Sequence, residues 1–115
     1  AKKLGIKASI SSNDDVQKIA YKSDLIINTT PLGMSNEKSL IKSASISKDS
    51  IVYDIVYMPI NTKLIENAKT AGAQVVYGYE MLLEQATASF KIWLKMDPPI
   101  DSMKKVLFGM FGEPT

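Results

Sequence analysis

Four short segments hold the polar and flexible residues that chemistry could use. The first is Asn28-Thr29-Thr30-Pro31-Leu32-Gly33-Met34, a polar triplet followed by proline and glycine. Its amides, hydroxyls and carboxamide could line a ligand, or Asn28 and Thr29 could satisfy the backbone of a local turn. The second is Asp54-Ile55-Val56-Tyr57-Met58-Pro59. Tyr57 could present its hydroxyl while its ring packs, or it could be an interfacial aromatic with no ligand. Asp54 lies inside an apolar run and needs a partner if buried; a structural carboxyl bonded to backbone is the plainer reading. The third is Gly78, where a strand gives way to a helix. A ligand could approach the backbone there, and a helix N-terminus favours anions, although glycine can simply make the turn. The fourth is Gln85, which aligns on a helical wheel with Met81, Ala88, Ser89 and Ile92 beside an apolar stripe. Its carboxamide should bond to something, either a polar ligand at the mouth of a cleft or a backbone group.

What is absent narrows the chemistry further. The 115 residues contain no Cys and no His, and all 14 basic residues are Lys. That removes thiolate nucleophiles, thiolate or imidazole metal ligation, and bidentate guanidinium recognition. The carboxylates show no paired spacing suited to a metal, so no metal is expected. A formal charge of +2 is too small to argue for nucleic acid or a membrane surface by field alone. No apolar run approaches the roughly 18 residues of a membrane span. Ala1-Lys2-Lys3-Leu4-Gly5 is followed by no apolar stretch of the kind a signal peptide carries, so the expected location is cytoplasmic. The first residue is not Met, which suggests that the chain does not begin where a gene does.

The elements that must position these segments follow from the apolar pattern. Lys7–Ile10 is a weak strand signal, whereas Asp24–Asn28, Ser50–Val56 and Gln74–Tyr77 are clearer. The central two read as continuously apolar, as expected of parallel strands covered on both faces. Helical periodicity covers Asp14–Tyr21, with Asn13 or Asp14 as the cap, and Thr62–Ala71, with Gly72 just past its end. It also covers Tyr79–Leu94 and Asp101–Phe108. In the long helix Tyr79, Leu82, Leu83, Ala86, Phe90 and Trp93 form the expected core stripe. Glu80, Glu84, Thr87, Lys91 and Lys95 form the expected wet one. The Ser- and Lys-rich stretch Met34–Ser50 reads as a surface loop with a short helix near Leu40. Alternating strands and helices with short links imply an α/β fold with a parallel sheet and right-handed crossovers. Asn28–Gly33, Ile55–Pro59 and Gly78 then share the carboxyl edge of the sheet, where such sheets bind ligands.

The ordered set is more specific than its parts. Asn28-Thr-Thr-Pro-Leu-Gly-Met34 comes first, then Tyr53-Asp-Ile-Val-Tyr-Met-Pro59 with Thr62 and Leu64. Gly78-Tyr-Glu-Met-Leu-Leu-Glu-Gln85-Ala86 follows, running on to Phe90 and Trp93. This series resembles the C-terminal part of the shikimate dehydrogenase family over nearly the whole chain. The resemblance implies the second half of a Rossmann-like parallel sheet, with C-terminal helices packing toward an N-terminal domain absent from these residues. Residues 1–80 would belong to the cofactor-binding domain, and 81–115 would cross to the substrate domain. It implies NADP as cofactor and reversible reduction of 3-dehydroshikimate to shikimate, with the small-molecule substrate and the chain's own N-terminal portion as partners. Position by position, Tyr57 and Gln85 match substrate-binding residues. Asn28, Thr29, Thr30, Ile55 and Gly78 match cofactor-binding positions.

Catalytic residues are expected upstream, with none in this chain, as are the Gly-rich phosphate loop and the 2′-phosphate pocket. In the strand order 3-2-1-4-5-6, Lys7–Ile10 would be strand 3, and Ala1–Gly5 the end of the helix before it. Strands 1 and 2 would be missing, leaving raw edges and uncovered apolar faces, so the isolated 115 residues are expected to be inactive and to need their upstream portion. One departure is Glu80, where the family often has a second glycine; an acidic side chain suits the first turn of a helix. Two alternatives remain: a quinate/shikimate dehydrogenase using NAD, and a non-enzymatic flavodoxin-like module with an autonomous sheet. A phosphoacceptor role for Asp54 fits poorly, because Ile55-Val56 is expected to continue the strand beyond it.

Overall fold

Residues 2–115 are described by a computed structural model; Ala1 lies outside the described residues. Three strands, β1 (Leu25–Asn28), β2 (Ile51–Asp54) and β3 (Gln74–Val76), form a parallel sheet in the order β1-β2-β3. Around it lie α1 (Val16–Tyr21), α2 (Lys63–Ala71), α3 (Gly78–Leu94) and α4 (Ile100–Phe111), with 3-10 turns at Lys2–Leu4 and Ser43–Ser45. The register pairs Asn28 with Asp54 and Tyr53 with Val76, so all three strands end at one edge.

Local chemistry explains the element ends. The Thr62 hydroxyl caps α2 by accepting from the Ile65 amide at 3.3 Å. Gly72 ends that helix in the left-handed region at φ 79°. The Glu80 carboxylate accepts from the Tyr77 amide at 3.0 Å and closes the start of α3. The acidic residue at the departing position thus holds the helix start. Helix α1 begins later than the pattern suggests, after Asp15 and without a side-chain cap. Residues 13–15 form a turn instead.

The core divides in two. Ile26 and Val52 pack on Ala20, Ile46, Leu64 and Ala68 beneath the sheet. Ile60, Ile65, Tyr77 and Leu107 form a second cluster at its far end, where α4 docks.

Several expectations are corrected. Lys7–Ile10 is not a strand but an exposed, unpaired segment; strand 3 would pair with strand 2, and these residues contain no strand 2. The sheet is covered on one face only: Leu25 and Ile27 remain 52% and 49% exposed. Strand β2 stops at Asp54, two residues short of the expected end. The short helix of the Ser-rich loop lies at Ser43–Ser45, where the following Ile46 is buried, and not at Leu40. On α3, Trp93 is 78% exposed and Thr87 is buried, the reverse of their expected stripes. Thr87 satisfies its hydroxyl on the Glu84 carbonyl at 2.9 Å. Trp93 is bare because α3 packs chiefly on α4, and does so near Leu82, Leu83 and Ala86 in its first half. The far half of α3 extends past that contact.

Candidate functional site

The three strand ends are joined by one buried side chain. Asp54 is fully buried. Its Oδ1 accepts from Asn28 Nδ2 at 2.9 Å and from the Val56 amide at 3.1 Å, and its Oδ2 accepts from the Thr62 hydroxyl at 2.6 Å. Every contact is a donor, the set a carboxylate takes. Asp54 thereby ties the end of β1, the exit of β2 and the start of α2 into one rigid corner. The structural reading of Asp54 holds, but its partners are more than local backbone. Although the strand ends at this residue, its burial and occupied oxygens leave no exposed phosphoacceptor.

Asn28 carries the network outward. Its Nδ2 also reaches the Leu32 carbonyl at 3.2 Å, and its Oδ1 accepts from the Thr30 amide at 3.1 Å and the Thr30 hydroxyl at 2.7 Å. The polar triplet is thus a self-bonded turn that presents Thr29 and Thr30 to solvent. The turn borders a cleft of about 160 Å³ lined also by Ile26, Leu32 and Leu40. That is smaller than the roughly 300–1,000 Å³ of a usual ligand pocket.

Gly78 meets the same corner. A Cβ there would lie 2.5 Å from the Val56 carbonyl oxygen and 2.6 Å from that of Ile55. Close helix–strand packing therefore demands glycine, whatever ligand approaches. The Ile55 amide donates to the Asn28 carbonyl at 3.2 Å, so Asn28, Ile55 and Gly78 form one contiguous edge.

Tyr57 follows, half-buried, its ring 5.5 Å from that of Phe111. Its hydroxyl makes no hydrogen bond among the described residues. Gln85 is exposed and does not touch the other site residues by hydrogen bond. Seven residues separate it from Gly78, close to two full turns. It therefore sits within about 20° of Gly78 around the helix axis and about 10 Å further along. That places Gln85 on the same side of α3 as Gly78, about two turns further along. Tyr79, one residue past Gly78, meets Phe108 edge-to-face at 5.1 Å. Burial first, then Glu80 and Tyr77, raise its hydroxyl above the ordinary value of 10.0. Sequence reasoning passed over Asn61 and Phe111. Both act through contacts more than 50 positions apart, and no local pattern signals them.

A parallel sheet whose carboxyl edge gathers a polar turn, a buried Asp and a helix-opening glycine defines an α/β fold of the kind that binds ligands at the carboxyl ends of its strands. Comparisons with known proteins narrow this. Residues 78–108 match the family description "Shikimate 5'-dehydrogenase C-terminal domain". The shikimate dehydrogenase (NADP(+)) of Nitrosopumilus maritimus is 41% identical over 111 residues, which is 96% of this chain and 41% of that protein. Among solved structures, quinate dehydrogenase from Corynebacterium glutamicum in complex with NAD aligns with TM-score 0.78 at 26% identity. It covers 84% of this chain and 35% of that one. Shikimate 5-dehydrogenase from Listeria monocytogenes, in complex with shikimate and NAD, aligns with TM-score 0.73 at 31% identity, covering 84% and 34%. The chain belongs to the shikimate dehydrogenase family, in its C-terminal part, and spans about two fifths of the length of the curated relatives it matches. Among the described residues no helix is long and apolar enough to cross a membrane.

Proposed function

We propose that these residues supply one wall of the active site of an NADP-dependent shikimate dehydrogenase, which interconverts 3-dehydroshikimate and shikimate. The observation that carries this reading is the single edge formed by Asn28, Ile55 and Gly78, with Tyr57 just beyond it in the chain and Gln85 on the Gly78 side of α3. The residues fit part of a dinucleotide: exposed hydroxyls on Thr29 and Thr30, the backbone of Ile55, and the helix-opening amide of Gly78 would border it. Bound NADP(H) supplies the hydride acceptor or donor. Tyr57 and Gln85 orient the substrate through a free hydroxyl and a free carboxamide. In this reading the acid–base residue belongs to the upstream portion.

In the same reading, residues 1–80 belong to the cofactor domain and 81–115 cross to the substrate domain. The bare side chains of Leu25 and Ile27 and the uncovered end of α3 support an upstream partner, since exposed apolar surface of this kind usually marks an interface. The isolated 115 residues would then be inactive, and a cytoplasmic location goes with this assignment. Likeness to a quinate dehydrogenase holding NAD favours a second reading, in which quinate and NAD replace shikimate and NADP. The test is steady-state oxidation of shikimate and of quinate with each cofactor, using the chain joined to its upstream portion. Tyr57→Phe and Gln85→Ala should each raise the KM for the hydroxy acid about tenfold, the effect of losing one hydrogen bond of roughly 1.4 kcal/mol. Unchanged turnover in both variants would overturn the assignment.

A further inference from the structure

We infer that Phe111 is a positioning residue for Tyr57, held in place by a clasp that Asn61 makes on the C-terminal segment. Phe111 ends α4, and Gly112 at φ 86° turns the chain back. The segment beyond it is bonded at both ends of one side chain. Asn61 Nδ2 donates to the Glu113 carbonyl at 3.2 Å, and Asn61 Oδ1 accepts from the Thr115 amide at 3.2 Å and hydroxyl at 3.0 Å. The Tyr77 hydroxyl donates to the Thr115 carbonyl at 3.3 Å, and the Lys69 ammonium meets the same carbonyl. Asn61 stands four residues after Tyr57, and the intervening Ile60 is buried.

The contacts therefore form a closed circuit. The Tyr57–Asn61 loop grips residues 113–115, these fix the end of α4, and α4 returns Phe111 to the Tyr57 ring at 5.5 Å and 58°. This matters because a tyrosine has two side-chain torsions, and its hydroxyl moves by several ångströms when the ring swings. The backbone leading to Tyr57 is held by Asp54 through the Val56 amide, a hydrogen bond that does not involve the Tyr57 side chain. Phe111 constrains the ring from the second core cluster, against which it packs.

The inference rests on the reading that the Tyr57 hydroxyl meets substrate, and the experiment separates the two. In the chain joined to its upstream portion, kinetics would be measured for Tyr57→Phe, Phe111→Leu, the double variant, Phe111→Tyr and Asn61→Ala. Phe111→Leu should raise the shikimate KM roughly two- to tenfold, the range for losing one aromatic pair, with kcat and the NADP KM near wild type. Phe111→Tyr keeps the ring and should restore the wild-type KM. Asn61→Ala leaves α4 intact, loosens the clasp and should shift KM in the same direction by less, which keeps the idea open to refutation if Phe111→Leu fails to fold. The double variant decides: once the hydroxyl is gone, Phe111→Leu should add nothing to Tyr57→Phe. Equal effects of Phe111→Leu in both backgrounds would show a general structural role and overturn the inference alone. No effect of Tyr57→Phe would overturn the substrate role of Tyr57 and this inference with it.

Discussion

Replacing Asp54 with alanine removes the acceptor for three donors at once. Asn28 Nδ2 keeps the Leu32 carbonyl as a second partner, so its loss costs little. The Val56 amide and the Thr62 hydroxyl have no such alternative in the buried corner. Each buried donor left unsatisfied costs about 1–3 kcal/mol, and a small cavity adds to this, so Asp54→Ala should lose about 3–6 kcal/mol. Asp54→Asn should cost less. Its carbonyl can still accept from Asn28 and Val56, while its NH2 would face the Thr62 oxygen. That oxygen already accepts from Ile65 but has a second lone pair. Only the Thr62 hydroxyl proton is then stranded, at about 1–2 kcal/mol. Urea unfolding of the chain joined to its upstream portion, read by tryptophan fluorescence and far-ultraviolet circular dichroism together, measures both variants. A loss under about 1 kcal/mol for alanine, or equal losses for alanine and asparagine, would refute the idea that this carboxyl group organises the corner.

Other outcomes follow from the same geometry. Gly78→Ala should lose about 3 kcal/mol or more, because its Cβ would strike backbone oxygens at 2.5 and 2.6 Å; a urea midpoint near wild type would contradict this packing. Residues 1–115 alone should show no cooperative monomeric unfolding and should self-associate through the uncovered sheet face. Sedimentation with thermal unfolding checks this, and a sharp monomeric transition would count against it. Tyr79 should make stability fall at high pH. Its hydroxyl is raised above 10.0 chiefly by burial, so the folded state favours the protonated form. That contribution is complete below pH 10 and is lost as pH rises through the raised value. Tyr79→Phe should flatten the decline, which unfolding measurements between about pH 9 and 11 would detect.

Much of the fold is legible because local rules and tertiary outcome agree. Three apolar runs became three parallel strands, and Thr62 and Gly72 bounded α2 as their side chain and backbone preferences require. Tyr57, Gly78 and the Asn28 turn fell on one edge, since parallel strands with short crossovers allow little else. The errors share a cause. The patterns at Lys7–Ile10 and Trp93 are those of a full sheet with its covering layers, whereas the bare face of Leu25 and Ile27 agrees with the uncovered surface that missing strands imply. Strand formation and burial depend on partners that these residues do not contain, and a periodic pattern carries no information about whether the partner is present.

What the sequence alone determines is therefore the order and type of the main elements from α1 to α4, and the shared edge on which Asn28, Ile55 and Gly78 stand. Composition also determines that no His, Cys or Arg acts from within this chain. Tertiary structure decides the rest. It makes Asp54 the hub of three segments, assigns Gly78 to helix–strand packing, and brings Phe111 to Tyr57 across 54 positions of sequence. Those contacts join residues far apart in the chain. They form because burial leaves each polar group and ring few partners, a condition that exists only once the elements have packed.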